Sequence, residues 1–188
     1  MRKIGIYGGT FDPIHHGHLI LAREAGEQLG LEQIIFVPAA ASPFKSKPQA
    51  TAEMRLSMLQ AAIEGESTFV IDDCELKRPP PSYMIDTISQ IADREAGAEF
   101  YLLVGEDNIL DLPKWHRFDE LQKLVRFAVL DRGCSETKQP YETVRRKIDI
   151  SATEIRNRVA SGQSILYFVP PAVEEIIRKN NLYRELEK

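Results

Sequence analysis

Five short apolar runs, separated by stretches with helical spacing, constrain the fold of this 188-residue chain more than any other feature. The runs are continuous rather than alternating, which is typical of strands covered on both faces, as in a parallel sheet. They lie at residues 4–7, 34–37, 69–71, 100–104 and 127–130. Between them, apolar residues recur every three or four positions, as in amphipathic helices. This alternation predicts an α/β fold with a doubly wound parallel sheet and right-handed crossovers.

The last third of the chain has a different character, because two short helices are predicted there. The first begins at Ser151, where Ser-x-x-Glu forms a capping box, and the second begins at Pro170-Pro171. With 43% hydrophobic residues, the chain is long enough to bury one substantial core. We therefore expect a single domain over residues 1–188, with residues 151–188 as a small helical C-terminal part.

Charge and cysteine content narrow the classes of partner. A formal net charge of −4 argues against a broad nucleic-acid-binding surface and favours small-molecule ligands. Cys74 and Cys134 have no CxxC spacing, which fits a reducing compartment and predicts neither a disulfide framework nor a zinc site. No stretch approaches the ~18 apolar residues of a membrane span. We expect a cytoplasmic protein with no nucleic-acid or membrane partner, and the oligomeric state stays open, a homo-oligomer included.

Ligands of doubly wound sheets bind at the carboxyl ends of the strands, so the residues that follow each apolar run are candidates for a site. A glycine- and histidine-rich turn follows the first run, and an irregular segment with Lys45 follows the second. Gly105 and Asp107 come after the fourth run, and Arg132 comes after the fifth. The sequence predicts that these segments meet at one edge of the sheet.

The turn after the first run has the chemistry of a phosphate site. Gly8 and Gly9 let the backbone approach a phosphate, and three of the four histidines lie at residues 15, 16 and 18. His15 and His18 are three positions apart, so we expect them to share one helix face and to contact one polyphosphate. Two alternatives stay open, a metal site formed with Asp12 and a purely structural histidine pair. The turn lacks both the Gly-x-Gly-x-x-Gly and the P-loop patterns.

Two segments carry a resemblance to a known superfamily. Residues 8–18, Gly-Gly-Thr-Phe-Asp-Pro-Ile-His-His-Gly-His, resemble the His-x-Gly-His signature of the nucleotidyltransferases, and residues 150–156 resemble their Ile-Ser-x-Thr-x-Ile-Arg signature. Within that superfamily, residues 81–87 and 112–115 are similar to the bacterial nicotinate-nucleotide adenylyltransferase family. The resemblance implies a Rossmann-like fold and transfer of the adenylyl group of ATP to nicotinate mononucleotide in NAD biosynthesis. The expected step is a direct in-line attack without a covalent enzyme intermediate.

The resemblance also implies roles for individual residues. The catalytic groups that would hold the triphosphate are His15, His18, Lys45 and Arg156, with Mg²⁺ accompanying ATP and no metal ligand from the protein. The other ATP-binding residues would be Gly8, Gly9, Thr10, Phe11, Gly105, Asp107, Ser151 and Thr153. The acceptor nucleotide would contact Ser82, Tyr83, Met84, Trp115, His116 and Arg132. His16 is expected to face away from the site.

Several of these residues have a simpler structural interpretation. Ser151 is also a plain helix cap, and Asp107 is also a candidate helix N-cap. Trp115 could serve packing alone, and an arginine such as Arg132 after a strand is often a surface ion-pair partner. The chemistry of these side chains suits both interpretations, so the sequence leaves them open.

Three positions depart from the usual sequence pattern of the family. Phe44 stands where the family usually has histidine, Met84 where threonine is common, and His116 where tyrosine is common. These departures weaken the substrate prediction more than the reaction class.

Three other functions compete with transfer of an adenylyl group to nicotinate mononucleotide. They are those of a phosphopantetheine adenylyltransferase, a cytidylyltransferase and a non-catalytic nucleotide-binding module.

Overall fold

Strands and helices alternate along the chain in a computed structural model that describes residues 1–40, 48–79, 81–133 and 140–184. In chain order the elements are β1 (Lys3–Gly9), α1 (His16–Leu29), β2 (Gln33–Pro38), α2 (Ala52–Ile63), β3 (Phe69–Ile71), α3 (Cys74–Lys77), α4 (Met84–Arg94), β4 (Glu99–Gly105), a 3₁₀ helix (Glu106–Lys114), α5 (Phe118–Leu124), β5 (Arg126–Asp131), β6 (Glu142–Arg145), α6 (Ala152–Ala160) and α7 (Pro171–Lys179). The five strands predicted from apolar runs correspond to β1 to β5.

The described strands form one six-stranded parallel sheet in the order β3-β2-β1-β4-β5-β6. From β1 the chain moves outward through β2 and β3, and it then returns to the other side of β1 with β4. The direction of winding therefore reverses between β1 and β4, and doubly wound sheets bind their ligands at this point. The predicted α/β fold class is confirmed.

Both faces of the sheet are buried, as the continuous apolar runs predicted. Successive residues of a strand point to opposite faces. Tyr7 and Leu103 belong to a core cluster that includes residues of α1, α2, α6 and α7. Ile6 and Leu102, their chain neighbours, belong to a second cluster with residues of α3, α4 and α5. The middle residues of β1, β2, β4 and β5 are apolar because both faces of these strands are covered.

Local capping sets where several helices begin. The Thr51 hydroxyl caps α2 by accepting a hydrogen bond from the N–H of Met54 at 3.3 Å. The Ser151 hydroxyl caps α6 in the same way, with the N–H of Glu154 at 3.1 Å, and Pro171 is the first residue of α7. Both predicted C-terminal helices are confirmed. None of the described helices combines the length and apolarity needed to cross a membrane.

The sequence patterns did not indicate β6, the 3₁₀ helix or the short helices α3 and α5. In β6 only Val144 is buried, since β6 is an edge strand of the sheet, and so its sequence lacks an apolar run. The 3₁₀ helix buries only Leu112 and contains Pro113, which argues against a helix interior. These elements are held by their neighbours rather than by their own periodicity.

Candidate active site

A cleft of about 390 Å³ opens at the carboxyl edge of the sheet, where the winding reverses. It is lined by Tyr7, Gly8, Gly9, Thr10, Phe11, Asp12, His15, His18, Pro48, Gln49, Gly105, Asp107, Asn108, Arg132, Ala152, Thr153 and Arg156. The segments that follow β1, β4 and β5 meet there, together with the first turn of α6. The predicted convergence of these segments at one edge is confirmed for the described residues.

The glycine turn leaves no room for side chains at two of its positions. A Cβ on Gly8 would lie 2.6 Å from Cε of Met84, and a Cβ on Gly9 would lie 2.8 Å from the Phe11 ring. Glycine at both positions brings the backbone to the wall of the cleft. The contact with Met84 also places the first residue of α4 directly beside the turn.

The two site histidines are stacked on each other. Their ring centroids are 3.6 Å apart, with an angle of 24° between the ring planes. The expectation that both lie on one helix face needs correction, because His15 is the extended N-cap residue and α1 begins at His16. Ring stacking at the start of the helix brings the imidazoles together instead. His16 is not among the residues that line the cleft, as expected.

His15 is held neutral by its surroundings. Its side chain is 1% exposed, and burial, followed by the nearby charges of Arg132 and His16, lowers its pKa to about 3. Its Nδ1 has no hydrogen-bond partner among the described residues. A Cβ on Gly17 would lie 2.9 Å from this Nδ1. The glycine between the histidines therefore makes room for the His15 ring.

Two arginines hold the backbone of the turn from the protein side. Arg55, 1% exposed on α2, donates through Nη1 to the carbonyl oxygens of Thr10 and Ala39 at 2.7 and 2.8 Å. Arg156, on α6, donates through Nη1 to the carbonyl of Asp12 at 2.7 Å and through Nη2 to the Thr153 hydroxyl at 3.1 Å. Arg156 therefore bonds to the turn as well as lining the cleft. Arg55 was not predicted from the sequence, although it lies on the same face of α2 as the buried Leu59, four residues later.

Asp12 does not join the histidines as a metal ligand. Its carboxylate accepts hydrogen bonds from the N–H groups of Gln49 and Ala50, at 2.8 and 3.2 Å, and from the Tyr183 hydroxyl at 2.7 Å. Among the residues that the structure describes, no group of three or more His, Cys, Asp or Glu side chains is placed to hold a metal ion. The metal-site alternative for this turn therefore has no ligand set in the described chain.

The loop after β4 brings a carboxylate to the cleft. Asp107 lies in the first turn of the 3₁₀ helix, whose N-cap is Gly105, so the alternative of Asp107 as an N-cap is wrong. Its Oδ1 accepts a hydrogen bond from Nδ2 of Asn108 at 2.9 Å, and a Cβ on Gly105 would collide with this oxygen. Across the cleft, Nη1 of Arg132 donates to the carbonyl of Ile150 at 3.3 Å. Arg132 therefore links the loop after β5 to the segment that leads into α6.

The two predicted hydroxyls of the second signature differ in position. The Ser151 hydroxyl is engaged as the cap of α6 and is not among the residues that line the cleft. Thr153 lines the cleft and accepts a hydrogen bond from Arg156. The capping interpretation of Ser151 is therefore confirmed, while its contact with a nucleotide stays a prediction.

Arg132 was predicted to contact the acceptor but lines the cleft, and the other predicted acceptor residues form a separate group beside it. The rings of Tyr83 and His116 are stacked with centroids 4.1 Å apart, and half-buried Trp115 packs against the second core cluster. The buried Ser82 hydroxyl has no hydrogen-bond partner among the described residues. These residues are not lining residues of the cleft itself, but Met84 connects them to it through Gly8.

A buried polar network holds the start of α4. The Thr87 hydroxyl donates to Oε1 of Glu75 at 2.8 Å and accepts from Nη2 of Arg78 at 2.6 Å. Tyr83 is the N-cap of α4 and makes no side-chain cap, and the Asp86 N–H donates to the Tyr83 carbonyl at 3.1 Å. In the described structure, the N–H groups of Met84 and Ile85 are left for a ligand. Lys45 and Phe44 lie outside the described residues.

Tyr7 and Tyr183 were also not predicted from the sequence as residues of the site. Tyr7 ends the first apolar run, which has the pattern of ordinary core, yet it lines the cleft, and its ring centroid is 6.1 Å from that of His18 in a T-shaped arrangement. Tyr183 follows α7 and reaches the turn only through the tertiary fold. No local pattern marks either residue as part of a site.

The strand order, the glycine turn and the cleft at the reversal of winding define a nucleotide-binding protein of the doubly wound α/β class. A family model described as cytidylyltransferase-like matches residues 6–158. Two relatives named "probable nicotinate-nucleotide adenylyltransferase", from Geobacillus thermodenitrificans and Shouchella clausii, are 44% and 41% identical over 97% of this chain, and the alignments cover 87% and 97% of the relatives. The chain belongs to the cytidylyltransferase-like family and, within it, to the nicotinate-nucleotide adenylyltransferases.

Solved structures agree with the fold. The nicotinic acid mononucleotide adenylyltransferase of Plasmodium falciparum, solved in complex with NaAD and also with APC, superimposes with TM-scores of 0.80 and 0.77. Each alignment covers 97% of this chain and 98% of that chain at 22% identity. The likeness at this identity concerns the fold alone.

Proposed function

We infer that this protein transfers the adenylyl group of ATP to nicotinate mononucleotide, giving nicotinate adenine dinucleotide and pyrophosphate in NAD biosynthesis. One observation from the structure carries this inference: the two signature segments, far apart in the chain, line one cleft through His15, His18 and Arg156. The family membership of the chain points to the same reaction.

The chemistry needs little from the protein beyond alignment. A phosphate oxygen of the acceptor attacks the α-phosphorus of ATP, the bond from that phosphorus to the bridging oxygen breaks, and pyrophosphate leaves. The attacking oxygen is already anionic, so neither a protein nucleophile nor a strong general base is required. Rate enhancement then comes from in-line positioning and from stabilisation of charge on the leaving group.

The donor side of the site is proposed to bind the triphosphate along the turn. N–H groups at Gly8, Gly9 and Thr10 would face the phosphates, and His18 would stabilise the leaving pyrophosphate. A neutral His15 has a single N–H to donate, so it would contribute a hydrogen bond rather than a positive charge. Positive charge would come from Arg156 and from Arg132, whose role is revised from the acceptor to the triphosphate because Arg132 lines the same cleft as the turn.

The remaining donor residues keep the roles that the resemblance implies. Lys45 stays proposed as a second cation for the phosphates. The Asp107 carboxylate would accept hydrogen bonds from the ribose hydroxyls, and its position on the cleft wall supports this role. Thr153, Phe11 and Gly105 also line the cleft and would contact the nucleotide.

The acceptor side is proposed to recognise a pyridine ring that carries a carboxylate. Trp115 would stack on the ring, next to the stacked pair of Tyr83 and His116. The N–H groups of Met84 and Ile85 in the first turn of α4, beside Ser82, would donate to the carboxylate, which the positive end of the helix dipole favours. A neutral amide would gain less at this position.

Membership in a nucleotidyltransferase family implies a divalent cation. We propose that this cation is Mg²⁺ and that it arrives with the triphosphate, since the described residues offer no ligand group for a protein-held metal.

The organisation of the chain supports a single nucleotidyltransferase domain over residues 1–188, with residues 151–188 as its helical C-terminal part. Val173 and Ile155, from the two C-terminal helices, belong to the same core cluster as Tyr7 in the first strand. A cytoplasmic location stays a prediction of the sequence, and the oligomeric state stays open.

The function is tested by supplying the protein with ATP and Mg²⁺ together with one acceptor at a time. The acceptors are nicotinate mononucleotide, nicotinamide mononucleotide and phosphopantetheine, and pyrophosphate release is measured. We expect the fastest release with nicotinate mononucleotide and slower release with the amide. ATP binding without pyrophosphate release from any acceptor would favour a nucleotide-binding module, and a preference for phosphopantetheine would replace the proposed substrate.

A further inference from the structure

A buried hydrogen bond joins the two ends of the described chain at the active-site turn. The hydroxyl of Tyr183 donates to Oδ1 of Asp12 at 2.7 Å, across 171 positions of sequence. Tyr183 is 8% exposed and Asp12 is 5% exposed. The proposed reaction assigns no role to either side chain, although Asp12 lines the cleft.

The bond is charge-assisted. Asp12 accepts three hydrogen bonds, from the Gln49 and Ala50 N–H groups and from Tyr183, which is the pattern of an ionised carboxylate. Burial, together with the adjacent Asp12 charge, raises the pKa of Tyr183 far above its usual value, so the hydroxyl keeps the proton that it donates. Removing this hydroxyl would leave a buried carboxylate oxygen without one of its donors.

Asp12 is the residue on which the supports of the turn converge. Its carbonyl oxygen accepts from Arg156 at 2.7 Å, and its carboxylate accepts from the Ala50 N–H and the Tyr183 hydroxyl. Arg55 holds the carbonyl of Thr10, two residues earlier. Hydrogen bonds from distant parts of the chain therefore hold the main chain at Thr10 and Asp12, between the glycines and the histidines.

We propose that Tyr183 is a positioning residue for the donor nucleotide, and that it acts through Asp12 to set the turn whose N–H groups bind the triphosphate. This inference rests on the proposed function, because it assigns ATP to the turn. Catalysis by alignment depends on supports of this kind, since a small displacement of the turn moves the phosphates out of line with the acceptor. The acceptor group beside α4 has no contact with this bond among those described, so its affinity should not depend on it.

The test is Tyr183→Phe, which keeps the buried ring and removes only the hydroxyl. The matched control is Tyr167→Phe, because Tyr167 is 81% exposed and lies outside the cleft. For Tyr183→Phe we expect the KM for ATP to rise about tenfold, the value of one hydrogen bond to a charged group, while the KM for nicotinate mononucleotide changes by less than about twofold. Both constants should stay unchanged in the control.

Asp12→Asn provides the second arm, because it keeps an oxygen toward Tyr183 and removes the charge. We expect it to raise the KM for ATP, and we expect Tyr183→Phe to add less than about twofold in the Asp12→Asn background. Additive effects in the double variant, or an ATP KM within about twofold of wild type in Tyr183→Phe, would overturn the inference. A fall in kcat with both KM values unchanged would indicate only a loss of folded protein and would also overturn it.

The dissociation constant of ATP, measured by calorimetry, gives a readout that does not depend on turnover. If wild type binds ATP but releases no pyrophosphate, the proposed function fails, while the ratio of ATP dissociation constants between variant and wild type still decides the role of Tyr183. If Tyr183→Phe does not fold, the ATP constant of Asp12→Asn decides, and a value within about twofold of wild type would contradict the inference.

Discussion

At the scale of single residues, the histidine pair shows how burial changes the chemistry of a side chain. His15 and His18 carry the same group and stack at 3.6 Å, but His15 is buried at the helix start with a pKa lowered to about 3. The two histidines therefore have different proposed roles. His15 supplies a neutral ring that donates one hydrogen bond, and His18 is proposed to stabilise the leaving pyrophosphate.

The role proposed for His18 predicts a large loss of turnover on its removal. His18→Ala should lower kcat by about 10²–10³-fold, the usual cost of losing one donor to a developing negative charge. His16→Ala is the matched control, since His16 does not line the cleft, and it should keep near-normal turnover. Steady-state kinetics with circular dichroism of the folded variants checks this expectation, and wild-type kcat in His18→Ala would contradict it.

The buried neutral state of His15 predicts a pH dependence of stability. The folded chain keeps His15 unprotonated down to about pH 3, whereas the unfolded chain takes up this proton near pH 6.5. The unfolded state therefore binds more protons between these values, so His15 lowers stability as the pH falls below 6.5 and contributes no slope above about pH 7. In His15→Gln, which has no titrating ring, the free energy of unfolding should depend less on pH.

Urea unfolding at pH 4 to 6 measures this difference. The slope of the unfolding free energy against pH should be smaller in His15→Gln than in wild type, by up to about 1.4 kcal/mol per pH unit. Equal slopes in the two proteins would mean that His15 is protonated in the fold.

At the scale of elements, the first turn of α1 is shaped by the packing of a ring against a glycine. A Cβ on Gly17 would lie 2.9 Å from His15 Nδ1, whereas a Cβ on Gly26, later in the same helix, would have its nearest neighbour at 3.7 Å. Gly17→Ala should displace the His15 ring and lower kcat by about 10²-fold, the typical cost of a small misplacement.

Gly26→Ala is the control for helix propensity. It should leave kcat unchanged and raise stability by about 0.5–1 kcal/mol, because alanine favours the helix over glycine. Thermal unfolding and kinetics of both variants separate the two effects. Equal kcat values in Gly17→Ala and Gly26→Ala would show that the His15 ring tolerates the added methyl group.

The start of α4 depends on the network of Glu75, Thr87 and Arg78. Thr87→Val keeps the shape of the side chain but removes the donor to Glu75 and the acceptor for Arg78. We expect stability to fall by about 1–3 kcal/mol, because a buried carboxylate loses a donor. The KM for nicotinate mononucleotide should rise several-fold, while the KM for ATP stays near the wild-type value.

Ser89→Ala is the matched control on the same helix, since Ser89 is an exposed residue whose hydroxyl donates to the carbonyl of Ile85 at 2.9 Å and, among the described residues, to no group of the network. Its stability should stay within about 0.5 kcal/mol of wild type. If Thr87→Val changed both KM values together, the network would support the fold without setting the acceptor group.

At the scale of the whole molecule, the order of the strands brings the site together. Because winding reverses between β1 and β4, the loops after these strands diverge and leave a cleft at their carboxyl ends. The glycine turn, Asp107 and Arg132 come from different strands, and Arg156 comes from a C-terminal helix. All of them reach one cleft only because the strands pair in this order.

The sequence by itself determined the class of fold and the chemistry available to the site. Continuous apolar runs require two covered faces, and capping residues mark where helices such as α6 begin, because both effects act over a few neighbouring residues. The histidine and arginine signatures likewise lie within short segments, and they sufficed to predict the family.

Only the tertiary structure decided how these groups are held. The neutral state of His15 depends on burial, and the supports from Arg55 and Tyr183 depend on contacts between residues distant in the chain. The edge strand β6 is stable because β5 pairs with it, not because of its own sequence. Burial and long-range hydrogen bonds arise from the packing of the complete chain, and no local pattern of residues encodes them.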